Sequence, residues 1–386
     1  MAGLRSLTIL HGPGLAWHQP AVDAAARTLA ATVRLDVRVR AAAAAGEALA
    51  ALDAAGERDG VLLVPGDLHA DPGLRARAAA LAGRPLCWLD LRTPTGPVPA
   101  ELAAAGVQVI RGRGVDGVRW ALRSLVERAA WPWRAHRYGG HRDQVADLRL
   151  PDGPGPHPVA VLIHGGAWRE HWERDLMDAM AVDLARRGLA TWNVEYRRAG
   201  GAGGWPETFE DVAAAIDALA DAAASGAPLD LDRVALVGHS AGGHLALWAA
   251  GRRHGDGALV PAPPRVRAAL VVSLAGLPDL AESARRGVYE RSVDGLMGGF
   301  PDEHPDRYAE GSPAELLPLG VPQLLIHGTA DLPDNVDMNR VYAERAAAAG
   351  DEVETLELPG VDHFAIIEPR SVPYALIAER LERWAC

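Results

Sequence analysis

The chain has 386 residues, 49% of them hydrophobic, and a formal charge of −11; that length predicts two domains, each able to bury a core. No apolar run reaches the ~18–20 residues of a membrane span, and two cysteines are too few for a disulfide framework or a thiolate cluster, so a reducing cytoplasm is expected. All 39 basic residues are arginine, 17 against 12 acidic residues over 1–140 and 22 against 38 beyond, and so acidic a second half argues against nucleic acid as substrate.

The first ten residues hold too short an apolar stretch for a signal peptide and predict a strand at 6–10 instead. An Ala-rich helix over 21–32 precedes a strand at 33–39, and the low-complexity Ala41 to Ala45 leads into another helix. A strand entering Pro65-Gly66, a helix over 73–82, strands at 85–91 and 107–110 and a helix to about 129 complete the first half. Five strands alternating with helices predict a flavodoxin-like parallel sheet over residues 1–130. Residues 131–137, opening Trp131-Pro132-Trp133, break the helix and are read as a linker.

The second domain, 138–386, opens with a strand at 145–150 stopped by a Pro/Gly run. The continuous apolar strand Val159-Ala160-Val161-Leu162-Ile163 is of the kind buried on both faces, and it runs into His164-Gly165-Gly166-Ala167-Trp168. A helix over 174–187, a strand at 190–196 and a long helix over 205–225 lead to Val234-Ala235-Leu236-Val237. Next come Gly238-His239-Ser240-Ala241-Gly242 and a helix, then a strand at 268–274. An irregular stretch near 278–319 is placed as a cap. A strand at 323–326, a helix over 336–349, a strand at 352–358 and a helix over 374–385 finish the chain.

A buried strand, a glycine-flanked serine and a helix describe a sharp turn that lifts Ser240 Oγ clear of the sheet. The N–H of Ala241 then points from the new helix toward any oxyanion formed there. The His164 to Trp168 loop, 76 residues upstream of Ser240 when counted from His164, supplies Gly166 and Ala167 as further oxyanion donors. Serine is a poor nucleophile without a base oriented by an acid. Asp331 and His363, each just past a strand, follow Ser240 in that order at spacings of 91 and 32 residues. Asp334 and Asp337 are rivals for the acid. His164 and His327 are assigned structural hydrogen bonds, and His239 and His244 flank the serine too closely to reach over it. Trp168, with Trp172 beside it, is expected to wall an aromatic substrate pocket. No metal or organic cofactor is required.

These motifs, with Asp362-His363-Phe364-Ala365-Ile366-Ile367 and the opening strand from Tyr138-Gly139, resemble the carboxylesterase group that includes kynurenine formamidase and the hormone-sensitive-lipase-like esterases. The resemblance implies an α/β-hydrolase domain over 138–386. Its substrate would be a small carboxylic ester or an activated amide such as an aryl formamide, cleaved through an acyl-enzyme.

The first half resembles type II dehydroquinase in Leu10-His11-Gly12-Pro13-Gly14-Leu15, the strand into Val64-Pro65-Gly66, and Val109-Ile110-Arg111-Gly112-Arg113-Gly114. That family's turns are kept but its chemistry is not. Ala70 stands at the catalytic histidine position, beside His69; the loop tyrosine and arginine have no counterpart between Trp17 and Asp23; and Trp88-Leu89-Asp90-Leu91 replaces the substrate-contact motif. The resemblance therefore implies a non-catalytic module that builds a homo-oligomer, trimer-based, through residues 1–130. Two other readings stay open: a bifunctional dehydratase and hydrolase, or an assembly protein with a vestigial hydrolase site.

Overall fold

A computed structural model describes residues 3–15, 19–33, 35–92 and 98–386; Trp17 lies outside them. The chain forms two compact units, Met1–Pro132 and Trp133–Cys386. No helix among the described residues is long and apolar enough to cross a membrane.

Unit 1 runs β1 (Ser6–His11), α1 (Gln19–Val33), β2 (Asp36–Ala41), α2 (Ala45–Ala54), β3 (Asp59–Val64), α3 (Pro72–Ala80), β4 (Leu86–Asp90), α4 (Ala100–Ala105), β5 (Gln108–Arg111) and α5 (Asp116–Ala130). All strand pairs are parallel, in the order β2-β1-β3-β4-β5. One face of the sheet packs Leu10, Leu63 and Trp88 with Leu52, Leu74 and Leu102. The other packs Ile9, Leu62 and Leu89 with Val118 and Leu122, the two-sided cover that parallel strands require. Helix α4 escapes a reading of the sequence because Leu102 is its one buried residue in six. Its end is set by Gly106, held at φ 72° where a Cβ is disfavoured.

Unit 2 runs β6 (Arg134–Arg137), β7 (Val145–Arg149), β8 (His157–Ile163), α6 (Asp178–Arg186), β9 (Ala190–Val194), α7 (Glu207–Asp217), α8 (Leu219–Ala224), β10 (Leu229–His239), α9 (Ala241–Gly251), β11 (Leu270–Leu274), α10 (Leu280–Arg285), α11 (Ser292–Met297), α12 (Pro305–Gly311), β12 (Gln323–Gly328), α13 (Pro333–Ala348), β13 (Val353–Leu358) and α14 (Val372–Ala385). Its mixed sheet has the order β13-β12-β11-β10-β8-β9-β7-β6. The pairs β6–β7 and β7–β9 are antiparallel and the rest parallel. Strand β8 is buried at every position, and burying each of its Val, Leu and Ile side chains stabilises the fold by roughly 1.5–3 kcal/mol.

Two expectations need correction. The stretch read as a linker to residue 137 ends earlier, because Arg134–Arg137 is the edge strand β6, paired with β7. Its Arg-Ala-His-Arg sequence is mostly exposed and lacks apolar alternation, as suits an edge that must stay soluble. The stretch read as irregular between 278 and 319 contains α10, α11 and α12, helices of six or seven residues. They are ended by local devices: Asp279 accepts from Glu282 N–H, Gly298 adopts φ 78°, and a proline opens α12. Two turns are too short to show a 3.6-residue period.

Candidate active site

Parallel strands place their C-terminal ends along one edge of the sheet, and the residues that follow β8, β10, β12 and β13 gather there. At the end of β10 the chain reverses sharply into α9, with Ser240 at φ 55°, ψ −120°. A non-glycine residue held there costs about 1–3 kcal/mol and persists because its surroundings enforce it. Ser240 N–H is tied to Leu274 O at 2.8 Å on the neighbouring β11. The flanking glycines are obligatory: a Cβ on Gly238 would lie 1.9 Å from Gly242 O, and one on Gly242 would lie 2.0 Å from Ile163 O. The N–H of Ala241, first residue of α9, has no acceptor within its own helix.

His363 follows β13, and its Nδ1 lies 2.7 Å from Asp331 Oδ2. A carboxylate only accepts, so Nδ1 carries a proton, and in the neutral ring Nε2 is the nitrogen with the free lone pair. Asp331 also accepts from Leu332 N–H at 2.7 Å and Asn335 Nδ2 at 3.2 Å. Burial pulls the Asp331 carboxyl upward, but the hydrogen bond and charge of His363, with the Leu332 and Asn335 donors, outweigh it and hold it below its ordinary value. The rivals are engaged elsewhere: Asp334 and Asp337 both pair with Arg286, at 3.1 and 2.7 Å.

After β8, Gly166, Ala167 and Trp168 take φ values of 110°, 52° and 54°, a left-handed turn. A Cβ on Gly166 would strike Trp172 Cβ at 2.2 Å. The loop is anchored from below. His164 Nδ1 donates to Gly165 O at 2.7 Å, its Nε2 faces Glu195 Oε1 at 3.0 Å, and its ring stacks on Tyr196. Glu195 is in turn paired with Arg174 and Arg198.

Ser240, His363, Gly166 and Ala167 line one cavity of about 630 Å³, walled by Trp172, Leu176, Val288, Tyr289, Leu332 and Phe364. Trp168 is not part of it, contrary to expectation. The left-handed turn at Ala167 and Trp168 sends the indole into the core, fully buried and edge-on to His244, while Trp172 faces the cavity. Two other residues escape a sequence reading. His239 Nε2 donates to His363 O at 2.9 Å and so supports the loop that carries His363. Tyr289, from the cap, brings its hydroxyl to 3.4 and 3.5 Å from the two ring nitrogens of His363. His239 stands beside the serine in sequence, which is a usable signal; for Tyr289 no pattern in the chain points to the site.

Burial drives two imidazoles down, His239 to about 3, with the charge of His363 adding to the effect, and His244 to about 4. In the unfolded chain both regain protons near their ordinary 6.5. Between there and about 4 the unfolded state binds more protons, so stability rises with pH and is lost as pH falls. The slope should approach roughly 2.7 kcal/mol per pH unit for two protons. Denaturant titrations at pH 7, 6, 5 and 4.5 should show this decline, and a flat profile would contradict the buried neutral imidazoles.

The BD-FAE family model matches residues 146–340, just over half of the chain, from β7 to the middle of α13. The chain belongs to the BD-FAE family. The match spans Ser240 and Asp331 and stops short of His363. Among solved structures, a bifunctional GH43-CE protein of Bacteroides eggerthii is 25% identical with a TM-score of 0.56, covering 66% of this chain. This chain covers 38% of that protein's length. A bacterial heroin esterase is also 25% identical, with a TM-score of 0.54 over 66% of this chain and 84% of its own. A truncated carbohydrate esterase from gut microbiota shares the fold at 20% identity and a TM-score of 0.58, covering 66% of this chain and 97% of its own. No curated protein matches the sequence. With its family, this protein is an esterase-type serine hydrolase of the α/β-hydrolase fold.

Proposed function

We propose that Ser240, His363 and Asp331 form a catalytic triad that hydrolyses a small, uncharged carboxylic ester or activated amide, an aryl formamide included, through an acyl-enzyme. The observation that carries this reading is the 2.7 Å bond between His363 and a buried carboxylate, in the cavity that Ser240 lines. Ser240 Oγ attacks the carbonyl carbon as His363 Nε2 takes its proton, and the carbonyl oxygen becomes an oxyanion facing the N–H groups of Ala241, Gly166 and Ala167. The proton on Nε2 then passes to the leaving atom. Water repeats the cycle to free the acid and restore Ser240.

The choice of substrate rests on the walls. Trp172, Tyr289, Leu332 and Phe364 offer apolar and aromatic surface, with Leu332 45% and Phe364 40% exposed. Both guanidinium groups lining the cavity already carry carboxylate partners, Arg169 with Glu290 and Arg286 with Asp334. An anionic substrate would meet paired cations and further acidic groups, whereas a neutral aryl group finds complementary walls.

For residues 1–130 we infer a type II dehydroquinase-like scaffold without dehydratase chemistry. Proton abstraction beside a ketone needs a positioned base. Ala70 stands at that position, neighbouring His69 has its Nδ1 at 3.2 Å from Gly66 O, and Arg92 pairs with Asp67.

One substrate panel tests both readings: neutral aryl acetates, N-formyl arylamines, the same esters bearing a carboxylate, and dehydroquinate. Neutral aryl substrates should turn over at least about tenfold faster than their anionic analogues, as one unfavourable charge contact is worth ~1–2 kcal/mol in such a site. Dehydroquinate should be untouched. Preference for the anionic esters would overturn the substrate reading, and dehydration of dehydroquinate the scaffold reading.

A further inference from the structure

The cap delivers one polar group to the reacting atoms. Tyr289 O–H lies 3.4 Å from His363 Nδ1 and 3.5 Å from Nε2, in the cavity that Ser240 also lines. It is delivered at a conformational cost, because Tyr289, Glu290 and Arg291 take φ values of 52°, 54° and 62°, three left-handed non-glycine residues in a row. Such a run persists only when its surroundings hold it. Here Arg169 does so, one residue beyond the turn that presents the candidate oxyanion donors. Its Nη2 donates to Tyr289 O at 3.1 Å and Glu290 O at 3.3 Å, and its Nη1 pairs with Glu290 Oε2 at 3.1 Å. On the far side, Arg291 pairs with Asp294 at 2.8 Å and lies over the Phe300 ring. The hydroxyl is therefore fixed to the same loop that would bind the oxyanion.

The chemistry of acyl transfer says what lies at that point. At the tetrahedral carbon, one vertex is Ser240 Oγ, one the oxyanion, one the acyl chain and the fourth the leaving atom. The fourth must be within reach of His363, which gives it a proton. In deacylation the attacking water occupies the same place, since it must hand a proton to the same nitrogen. A hydroxyl within 3.5 Å of both His363 ring nitrogens, in the cavity that Ser240 lines, borders this locus.

We propose that Tyr289 is a catalytic residue of this hydrolase, its O–H donating a hydrogen bond to the leaving atom during acylation and orienting the hydrolytic water during deacylation. The inference rests on Ser240 and His363 being nucleophile and base. In the first half-reaction the Oγ–carbon bond forms while the serine proton moves to Nε2. The bond from carbon to the leaving atom then breaks with its electron pair, and that atom takes the proton from Nε2. In the second, a water oxygen bonds the carbon, its proton moves to Nε2, and the acyl–Oγ bond breaks as Oγ is reprotonated. Tyr289 gives up no proton. Burial, with the Asp331 charge adding to it, pushes the phenol pKa well up, so the group remains a donor throughout.

The test is the dependence of kcat/KM on leaving-group basicity in the full-length protein, for esters sharing one acyl group and running from nitrophenyl through phenyl to alkyl. Tyr289→Phe should lose about tenfold on alkyl esters, whose leaving oxygen carries the most charge, and little on nitrophenyl esters. The slope therefore steepens. A fluorotyrosine at position 289, a stronger donor of nearly the same shape, should flatten it. A uniform loss, no loss, or a uniform gain as expected of a plug would each overturn the proposal. The Ser240→Ala protein separates the two levels. If it is inactive and the Tyr289→Phe slope is unchanged, only the role of Tyr289 fails; if it still hydrolyses the series, the triad reading itself fails.

Discussion

Ser240→Ala should lower kcat by about 10⁴- to 10⁶-fold with the fold intact. The turn that holds this residue is set by its backbone, through the Ser240 N–H bond to Leu274 O and the packing of Gly238 against Gly242. Alanine keeps the Cβ and the N–H, so both survive the change. What goes is Oγ. The remaining rate would reflect water attacking a carbonyl still polarised by the proposed donors Ala241, Gly166 and Ala167, which in related triads leaves roughly 10³–10⁴ over the uncatalysed reaction. Stopped assays at high enzyme concentration, beside a thermal melt, read both halves of the expectation. A modest loss of activity would mean that the nucleophile lies elsewhere.

Asp331→Asn should cost about 10⁴-fold, although the side chain barely changes shape. In the native site both carboxylate oxygens only accept, from Leu332 N–H, Asn335 Nδ2 and His363 Nδ1. An asparagine must place its oxygen toward one set of donors and its amide toward the other. The Leu332 N–H is fixed backbone and claims the oxygen, so the amide faces His363 and forces Nδ1 to accept. The ring proton then sits on Nε2, which can no longer take the proton of Ser240. The pH–rate profile and kcat of the variant check this; near-normal turnover would point to another acid, and Asp334 or Asp337 would need to leave Arg286 to supply it.

Much of this site can be read from the chain because it follows strand ends. Strands such as β8 and β10 are continuous apolar runs that stop in glycine-rich turns, and parallel pairing carries their ends to one edge of the sheet, so Ser240 and the 164–168 loop meet there. The order of Asp331 and His363 along the chain follows the same logic one and two strands further on. Other parts depend on local φ values with no sequence signature. The sequence points to Trp168 as the wall residue, but the left-handed turn at Ala167 sends it inward and leaves Trp172 facing the cavity. Tyr289 reaches the His363 ring only through three strained residues between six-residue helices, where periodicity carries no information. Strand β6 and helix α4 are hidden for a simpler reason: each buries too little to impose a pattern.

The most direct measurement is the site of covalent labelling by a fluorophosphonate, read by peptide mass spectrometry alongside residual esterase activity. The triad predicts one adduct per chain, on the peptide containing Ser240, with activity lost in proportion to labelling and no adduct in Ser240→Ala. An adduct on any other residue, or full activity in the labelled protein, would contradict it.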